Sequence, residues 1–181
     1  CSCRCDTGFS IAYSFTLLNI VKDQKKRNLK TWFRVNKSIA KTQPIMNWTV
    51  TYLVGVPQLD KDHEVIFEEL EKLYYLLKEG GSQEDMLEQA LLVRKEARLH
   101  FAGEEALMEW LGYYEIDLHI AEHKILMEHI NGFIDEIRDG IIPFENDLQA
   151  FVEDWLYRHI RDEDMQYARM VAQLQKKAVL S

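Results

Sequence analysis

Five of the six histidines in this sequence, with two acidic residues, fall at consistent positions along four segments that have a helical pattern. The set, with its two acids, is His63, His100, Glu104, His119, His123, His159 and Asp164. His100 and Glu104 are four residues apart, which places them about 40° apart on one face of a helix. His119 and His123 repeat that spacing. Imidazole nitrogens and carboxylate oxygens together suit iron, manganese or zinc rather than calcium, so the set predicts a metal site.

The number of donors favours two metal ions over one. Seven ligands exceed what a single ion takes, whereas two ions bridged by carboxylates, about 3.5–4 Å apart, would use them all. One histidine on an apolar face is more often a hydrogen-bonded core residue, but five at consistent positions favour metal binding. His129 is the internal control, because it lies six residues after His123 and about 120° away from that face. We expect His129 to be a surface or capping residue.

Four amphipathic segments must position these donors. Apolar residues recur at intervals of three and four along each segment, as in helices that bury one face. The predicted segments run from Asp60 to Gly80-Gly81, from Ser82 to Gly112, from Asp117 to Gly140, and from a first-turn Pro143 toward Gln175. Connections of a few residues between long helices make neighbours antiparallel. The sequence therefore predicts an all-α fold, an up-down-up-down antiparallel four-helix bundle with an extended N-terminal arm.

The path of such a bundle would bring the donors to one level. His100 lies late in the second helix and His119 early in the third, on either side of the turn at Gly112. His63 begins the first helix, and the pair His159 and Asp164 falls late in the fourth. That last pair is five residues apart, or about 140° on a regular α-helix, so it can face one point only if the helix adjusts locally.

Composition excludes several classes of protein. The chain has 181 residues, of which 47% are hydrophobic and 29% charged, as in an ordinary globular domain. No run approaches the roughly 18 apolar residues of a membrane span, so we expect none. The formal charge of −8 argues against nucleic acid as a partner. All three cysteines lie within the first five residues, which fits a reducing compartment, and we expect a cytoplasmic protein.

A break in charge near Pro44 marks the expected domain boundary. Residues 1–45 hold nine Lys and Arg against two Asp, a formal charge of +7, whereas the remainder carries −15. We therefore divide the chain into a basic N-terminal extension, residues 1–45, and a bundle, residues 46–181. The extension is interpreted as a disordered tail or as sequence outside the mature protein.

The ordered set of donors resembles the hemerythrin family, specifically its bacterial single-domain branch. The likeness runs from about Trp48 to about Arg169. The stretch from Val54 to His63, VGVPQLDKDH, is similar to the segment that leads to the family's first ligand. The motifs that follow match the rest in order and spacing; they are His100-x3-Glu104, His119-x3-His123 and His159-Ile160-x3-Asp164. Each motif alone is weak, but the ordered set is specific.

The resemblance implies a non-heme diiron centre. It implies that His119, His123 and His159 bind one iron and that His63 and His100 bind the other. It further implies that Glu104 and Asp164 bridge the two ions together with an oxo or hydroxo group, and that dioxygen binds reversibly at an open position on the second iron. Five apolar residues match positions that line the family's oxygen pocket, although plain bundle core explains them equally well; they are Ile66, Phe101, Trp155, Leu156 and Ile160.

The function expected from the resemblance is reversible dioxygen binding for storage, transport or delivery, without catalysis. An oxygen, iron or redox sensor is an alternative. A diiron oxidase or peroxidase is a weaker one, since the chain lacks the Glu-x-x-His motifs of ferritin-like enzymes. A structural zinc site is disfavoured because such sites usually close with four ligands, often Cys. The sequence leaves open whether the chain is a monomer or a homo-oligomer.

Overall fold

The computed structural model describes residues 49–180, except for the side chains of residues 154, 155, 179 and 180. The predicted extension, the boundary at residues 45 and 46, and Trp48 lie outside the described residues. A 3₁₀ turn, Val50–Tyr52, precedes the first long helix. The helices are α1 (Pro57–Lys78), α2 (Gln83–Leu111), α3 (Ile116–Arg138), α4 (Glu145–Phe151) and α5 (Met165–Leu180). This part of the chain contains no strand, which confirms the all-α prediction.

The fourth rod of the bundle is α4 and α5 joined by two π-helical turns, Val152–Leu156 and His159–Asp164. The backbone at the junctions stays in the right-handed helical region, so the chain continues in one direction. With this rod counted as one, the described residues form the predicted four-helix bundle. None of the helices in residues 49–180 combines the length and the apolar content needed to cross a bilayer.

The ends of α2 follow from their local sequence. The Ser82 hydroxyl accepts a hydrogen bond from the Asp85 backbone N–H at 3.1 Å and donates one to the Asp85 carboxylate at 2.7 Å. This arrangement caps the helix at the predicted start of the segment, Ser82, and it satisfies a donor that the first helical turn leaves without a partner. At the other end Gly112 has φ +64°, a left-handed conformation that glycine adopts without steric cost.

Two other predicted helix starts are wrong. Helix α1 begins at Pro57 rather than Asp60, because proline is well suited to the first helical position. The Asp60 carboxylate instead accepts a hydrogen bond at 2.6 Å from the backbone N–H of Val54. In the fourth rod Pro143 precedes the helix rather than forming its first turn. The helix starts at Glu145, after Phe144, whose backbone N–H is bound by the Asp147 carboxylate at 3.2 Å.

Two apolar clusters fill the interior. The larger, which we call the main apolar cluster, includes Leu73, Met86, Ile134 and Ile137 and extends toward the end of the bundle that carries Gly80 and Gly140. The smaller contains Val54, Leu59, Met108, Tyr113, Tyr167 and Ala168. Along each rod of the bundle, the predicted metal ligands lie between residues of the two apolar clusters or next to residues of one of them. The bundle thus encloses a polar layer between two apolar ones.

Candidate metal centre

The structure brings all seven predicted ligands together inside the bundle. They come from all four rods, and their exposed fractions are between 0 and 5%. We call the seven the polar cluster; its members are His63 from α1, His100 and Glu104 from α2, His119 and His123 from α3, and His159 and Asp164 from the second π turn. Because charged and polar groups are rarely this buried without partners, such a cluster demands a compensating ligand.

The second π turn explains how His159 and Asp164, five residues apart in the fourth rod, can face the same point. In a π turn the backbone hydrogen bond joins residues five apart, so residues at that spacing lie nearly above one another. His159 and Asp164 are the first and last residues of this turn. The His159 Nε2 atom lies 3.1 Å from Asp164 Oδ1. The local adjustment that a five-residue spacing requires is therefore an extra residue in the helical turn.

Donor atoms of the polar cluster form two groups. Within each group they lie within 4.8 Å of one another. The first group contains Glu104, His119, His123 and His159, and the second contains His63, His100, Glu104 and Asp164. Glu104 belongs to both groups. Asp164 also reaches both, since its Oδ1 lies 3.3 Å from His119 Nε2 and its Oδ2 lies 3.4 Å from His63 Nε2. This arrangement is the one expected for two cations that share carboxylates.

Several polar atoms of the cluster are buried without hydrogen bonds. Both carboxylate oxygens of Asp164, the Oε2 atom of Glu104, and the Nε2 atoms of His119 and His159 have no hydrogen-bond partner among the described residues. They lie near other donors but not in hydrogen-bond geometry. Leaving a polar atom buried in this way costs roughly 1–3 kcal/mol. Metal cations fit these residues, because a shared cation would accept the lone pairs that face one another across the cluster.

The charges in the cluster keep its carboxylates anionic, which is the form that binds a metal cation. Burial alone would raise the pKa of Glu104, but the imidazoles of His119 and His123 hold it well below its usual value. Burial also opposes a charge on His119, but the carboxylates of Asp164 and Glu104 outweigh it and raise its pKa to about 9. Burial lowers the pKa of His100 to about 4, so this imidazole is neutral at pH 7. Anionic carboxylates beside imidazoles make the cluster attractive to cations.

Two supporting residues were missed by the sequence analysis. Tyr167, which is fully buried, donates a hydrogen bond from its hydroxyl to Glu104 Oε1. Glu105 accepts one from His123 Nδ1 at 2.9 Å. A carboxylate directly after Glu104 and a tyrosine three residues after Asp164 were the available signals. Neither spacing is specific, because such partners are set by packing between helices.

The predicted oxygen pocket is brought together only in part. Ile66, Phe101 and Leu156 line a small cavity of about 10 Å³, whereas Ile160 is fully buried but does not line it. The side chain of Trp155 lies outside the described part of the chain. The remaining lining residues are also apolar; they are Leu70, Val93, Ala97, Leu126, Ile130 and Phe151. Phe101 stacks on the His123 ring with centroids 4.0 Å apart, so the cavity wall continues to the polar cluster.

The control histidine lies apart from the cluster. His129 is exposed on α3, with its ring 5.8 Å from that of Phe151. Its position agrees with the expected surface location, since six residues turn the side chain away from the face that carries His123.

Comparison with known proteins gives the family. The model of the hemerythrin HHE cation binding domain matches residues 54–171, a span that includes the whole polar cluster. The chain belongs to the hemerythrin family. Its sequence is 26% identical to a bacteriohemerythrin of Clostridium acetobutylicum over 66% of this chain and 96% of that protein. It is 29% identical to a hemerythrin of Sipunculus nudus over 68% of this chain and 92% of that protein.

Solved hemerythrin structures share the fold. A wild-type hemerythrin superposes with a TM-score of 0.64 and 26% sequence identity, covering 70% of this chain and 97% of that one. Nearly the whole length of that hemerythrin is therefore matched by the bundle of this chain. The family match confirms the predicted resemblance, and the superposition confirms the predicted architecture.

Proposed function

We propose that this hemerythrin-family domain holds two iron ions in the polar cluster and binds dioxygen reversibly, for storage, transport or delivery. The observation that carries the proposal is the pair of donor groups that share Glu104. A single ion would use one group and leave the other buried without compensation. The names of the relatives, bacteriohemerythrin and hemerythrin, support iron and dioxygen over other cations and ligands.

The residues divide between the two ions by their grouping. His119, His123 and His159 would hold one ion, and His63 and His100 would hold the other. Both ions would share Glu104 and Asp164, because Asp164 lies close to His119 as well as to His63. When bound, a ferrous pair supplies a redox-active Lewis-acid centre that dioxygen recognises. With two histidines instead of three beside the shared carboxylates, the second ion would have room for an external ligand. We therefore assign dioxygen to the side of His63 and His100.

Apolar packing around the cluster supports a carrier rather than an enzyme. The cavity beside Phe101 has a volume near that of one water-sized sphere, and all of the described residues that line it are apolar. An apolar cavity offers water no hydrogen-bond partners and stays dry, and apolar cavities in proteins bind small apolar molecules. Within the described part of the chain, the lining offers no titratable group to deliver a proton to bound dioxygen. Release of unchanged dioxygen is favoured under those conditions over reductive cleavage.

The proposal is tested by metal content and by reversibility. Anaerobic reconstitution with ferrous iron is expected to give two irons per chain, and a ratio near one would contradict the dinuclear centre. Exposure to air is then expected to produce a visible absorption band that disappears under vacuum and returns over repeated cycles. Immediate and irreversible oxidation with two irons bound would instead favour the oxidase or sensor alternatives.

A further inference from the structure

The ring of His123 is contacted on three sides. At its edge, Nδ1 lies 2.9 Å from Glu105 Oε1 in a hydrogen bond. On its face, the ring of Phe101 stacks at 4.0 Å between centroids and 14° between planes. On the opposite edge, Nε2 lies 2.9 Å from Glu104 Oε2. The imidazole therefore has little freedom to rotate or to flip.

The Glu105 contact also selects a tautomer. The Glu105 carboxylate oxygen is the acceptor in this contact, so Nδ1 of His123 is the donor and carries a proton. Nε2 faces the polar cluster and makes no hydrogen bond among the described residues, although Glu104 Oε2 lies 2.9 Å away, so its lone pair is available to a cation. Glu105 is on α2 and His123 on α3, so the contact exists only after these two helices pack. It is partly open to water, since about one-third of the Glu105 side chain is exposed.

Three other histidines of the cluster lack such a partner within the described part of the chain. The Nδ1 atoms of His100, His119 and His159 are buried there and make no hydrogen bond. Their tautomers are therefore not set by a carboxylate from outside the cluster. His123 differs from these three although all are similarly buried.

We propose that Glu105 is a positioning residue that fixes His123 in the Nδ1–H tautomer and raises the affinity of the three-histidine group for its cation. The inference rests on the proposed function, because it assumes that this group holds a metal. A carboxylate that binds the outer nitrogen of a ligand histidine typically contributes 10–100-fold in metal affinity. The contribution should fall on one of the two ions, since the hydrogen bond from Glu105 goes to a histidine of the first group.

Titration of the metal-free protein with cobalt(II) tests the proposal. Glu105→Ala is expected to weaken one of the two equivalents by 10–100-fold and to leave the other within a few-fold. Glu105→Gln is expected to recover most of that loss, because its amide oxygen accepts the same hydrogen bond. Glu109→Ala is the matched control, being an exposed glutamate one helical turn further along α2, and should bind as the wild type does.

Nitrogen-15 NMR of the metal-free protein gives a readout that does not need the metal. The His123 ring is expected to show the Nδ1–H tautomer in the wild type and in Glu105→Gln, and a mixture of tautomers in Glu105→Ala. A loss in Glu105→Gln as large as in Glu105→Ala would overturn the proposal, as would unchanged binding and tautomer in Glu105→Ala. If the wild type fails to bind two ions, the proposed function fails, but the tautomer readout still decides the role of Glu105.

Discussion

The polar cluster and the main apolar cluster are equally buried but are stabilised in opposite ways. Glu104 and Asp164 are fully buried, and so, within about 1%, are Ile134 and Ile137. Burying the isoleucines is favourable by itself, at roughly 25 cal/mol for each Å² removed from water. Burying the carboxylates and imidazoles is costly unless other groups compensate. One bundle therefore contains a layer that packing stabilises and a layer that, on our proposal, needs cations.

The difference shows how a helix bundle can carry a reactive centre. The apolar layers supply the stability that fixes the rods, and the rods then hold the polar side chains close together against their own preference for water. Such a site is preorganised, because its donors already lie within 4.8 Å of one another in each group. The two layers should therefore respond differently to metal and to substitution.

Removing the metal should cause the largest loss in the free energy of unfolding. At a free metal concentration about 1,000 times its Kd, each ion is expected to stabilise the folded state by about 4 kcal/mol. The loss on chelation should appear in denaturant unfolding of the iron-loaded and chelator-treated protein. Stability that is independent of metal concentration would show that the polar cluster is compensated without cations.

Ile134→Ala should cause the next largest loss of unfolding free energy. This loss should not depend on whether metal is bound. Truncating a buried isoleucine costs about 2–5 kcal/mol, from lost burial and from the cavity left behind. Ile134 lies about three turns along α3 from His123, and distant sites contribute additively, so the loss should be equal with and without metal. Ile141→Ala is the control, because Ile141 is 60% exposed and its truncation should cost no more than about 0.5 kcal/mol. A loss for Ile134→Ala that depends on metal would couple the two layers.

Tyr167→Phe should cause a smaller loss of unfolding free energy, and this loss should arise in the polar cluster. It removes the hydroxyl that donates to Glu104, and hydrogen bonds to charged groups contribute about 1.5–3 kcal/mol. Tyr113→Phe is a matched comparison, because the Tyr113 hydroxyl makes longer contacts, 3.2 Å with Gln166 and 3.3 Å with the Glu115 carboxylate, in a less buried place. Its loss should be about 0.5–1.5 kcal/mol. Equal losses in thermal or denaturant unfolding would mean that the Glu104 contact has no special strength.

His129→Ala should have the smallest effect. An exposed residue away from the cluster is expected to change the unfolding free energy by no more than about 0.5 kcal/mol and to leave iron content unchanged. His123→Ala, on the same helix, should lower the iron content. Measuring iron per chain in both variants checks the assignment, and similar losses in the two would mean that the wrong face of α3 had been chosen.

Much of this architecture is predictable from local patterns. The periodicity of apolar residues indicates each rod, and the Ser82 cap and the Gly112 stop of α2 lie where their residue types predict. Helix starts are less certain, because Pro57 and Asp60 are both good first-turn residues and only their packing distinguishes them. Pro143 also suits a first helical turn, but the helix begins after Phe144, whose backbone N–H donates a hydrogen bond to the Asp147 carboxylate.

The sequence by itself determined which side chains could meet, because helical periodicity sets the face on which each histidine and carboxylate lies. It also required a local distortion between His159 and Asp164 without saying what form it takes. The tertiary structure alone decided that this distortion is a π turn, that Glu104 belongs to both donor groups, and that Glu105 and Tyr167 contact the cluster. These features depend on distances between different helices, and such distances arise only when the helices pack.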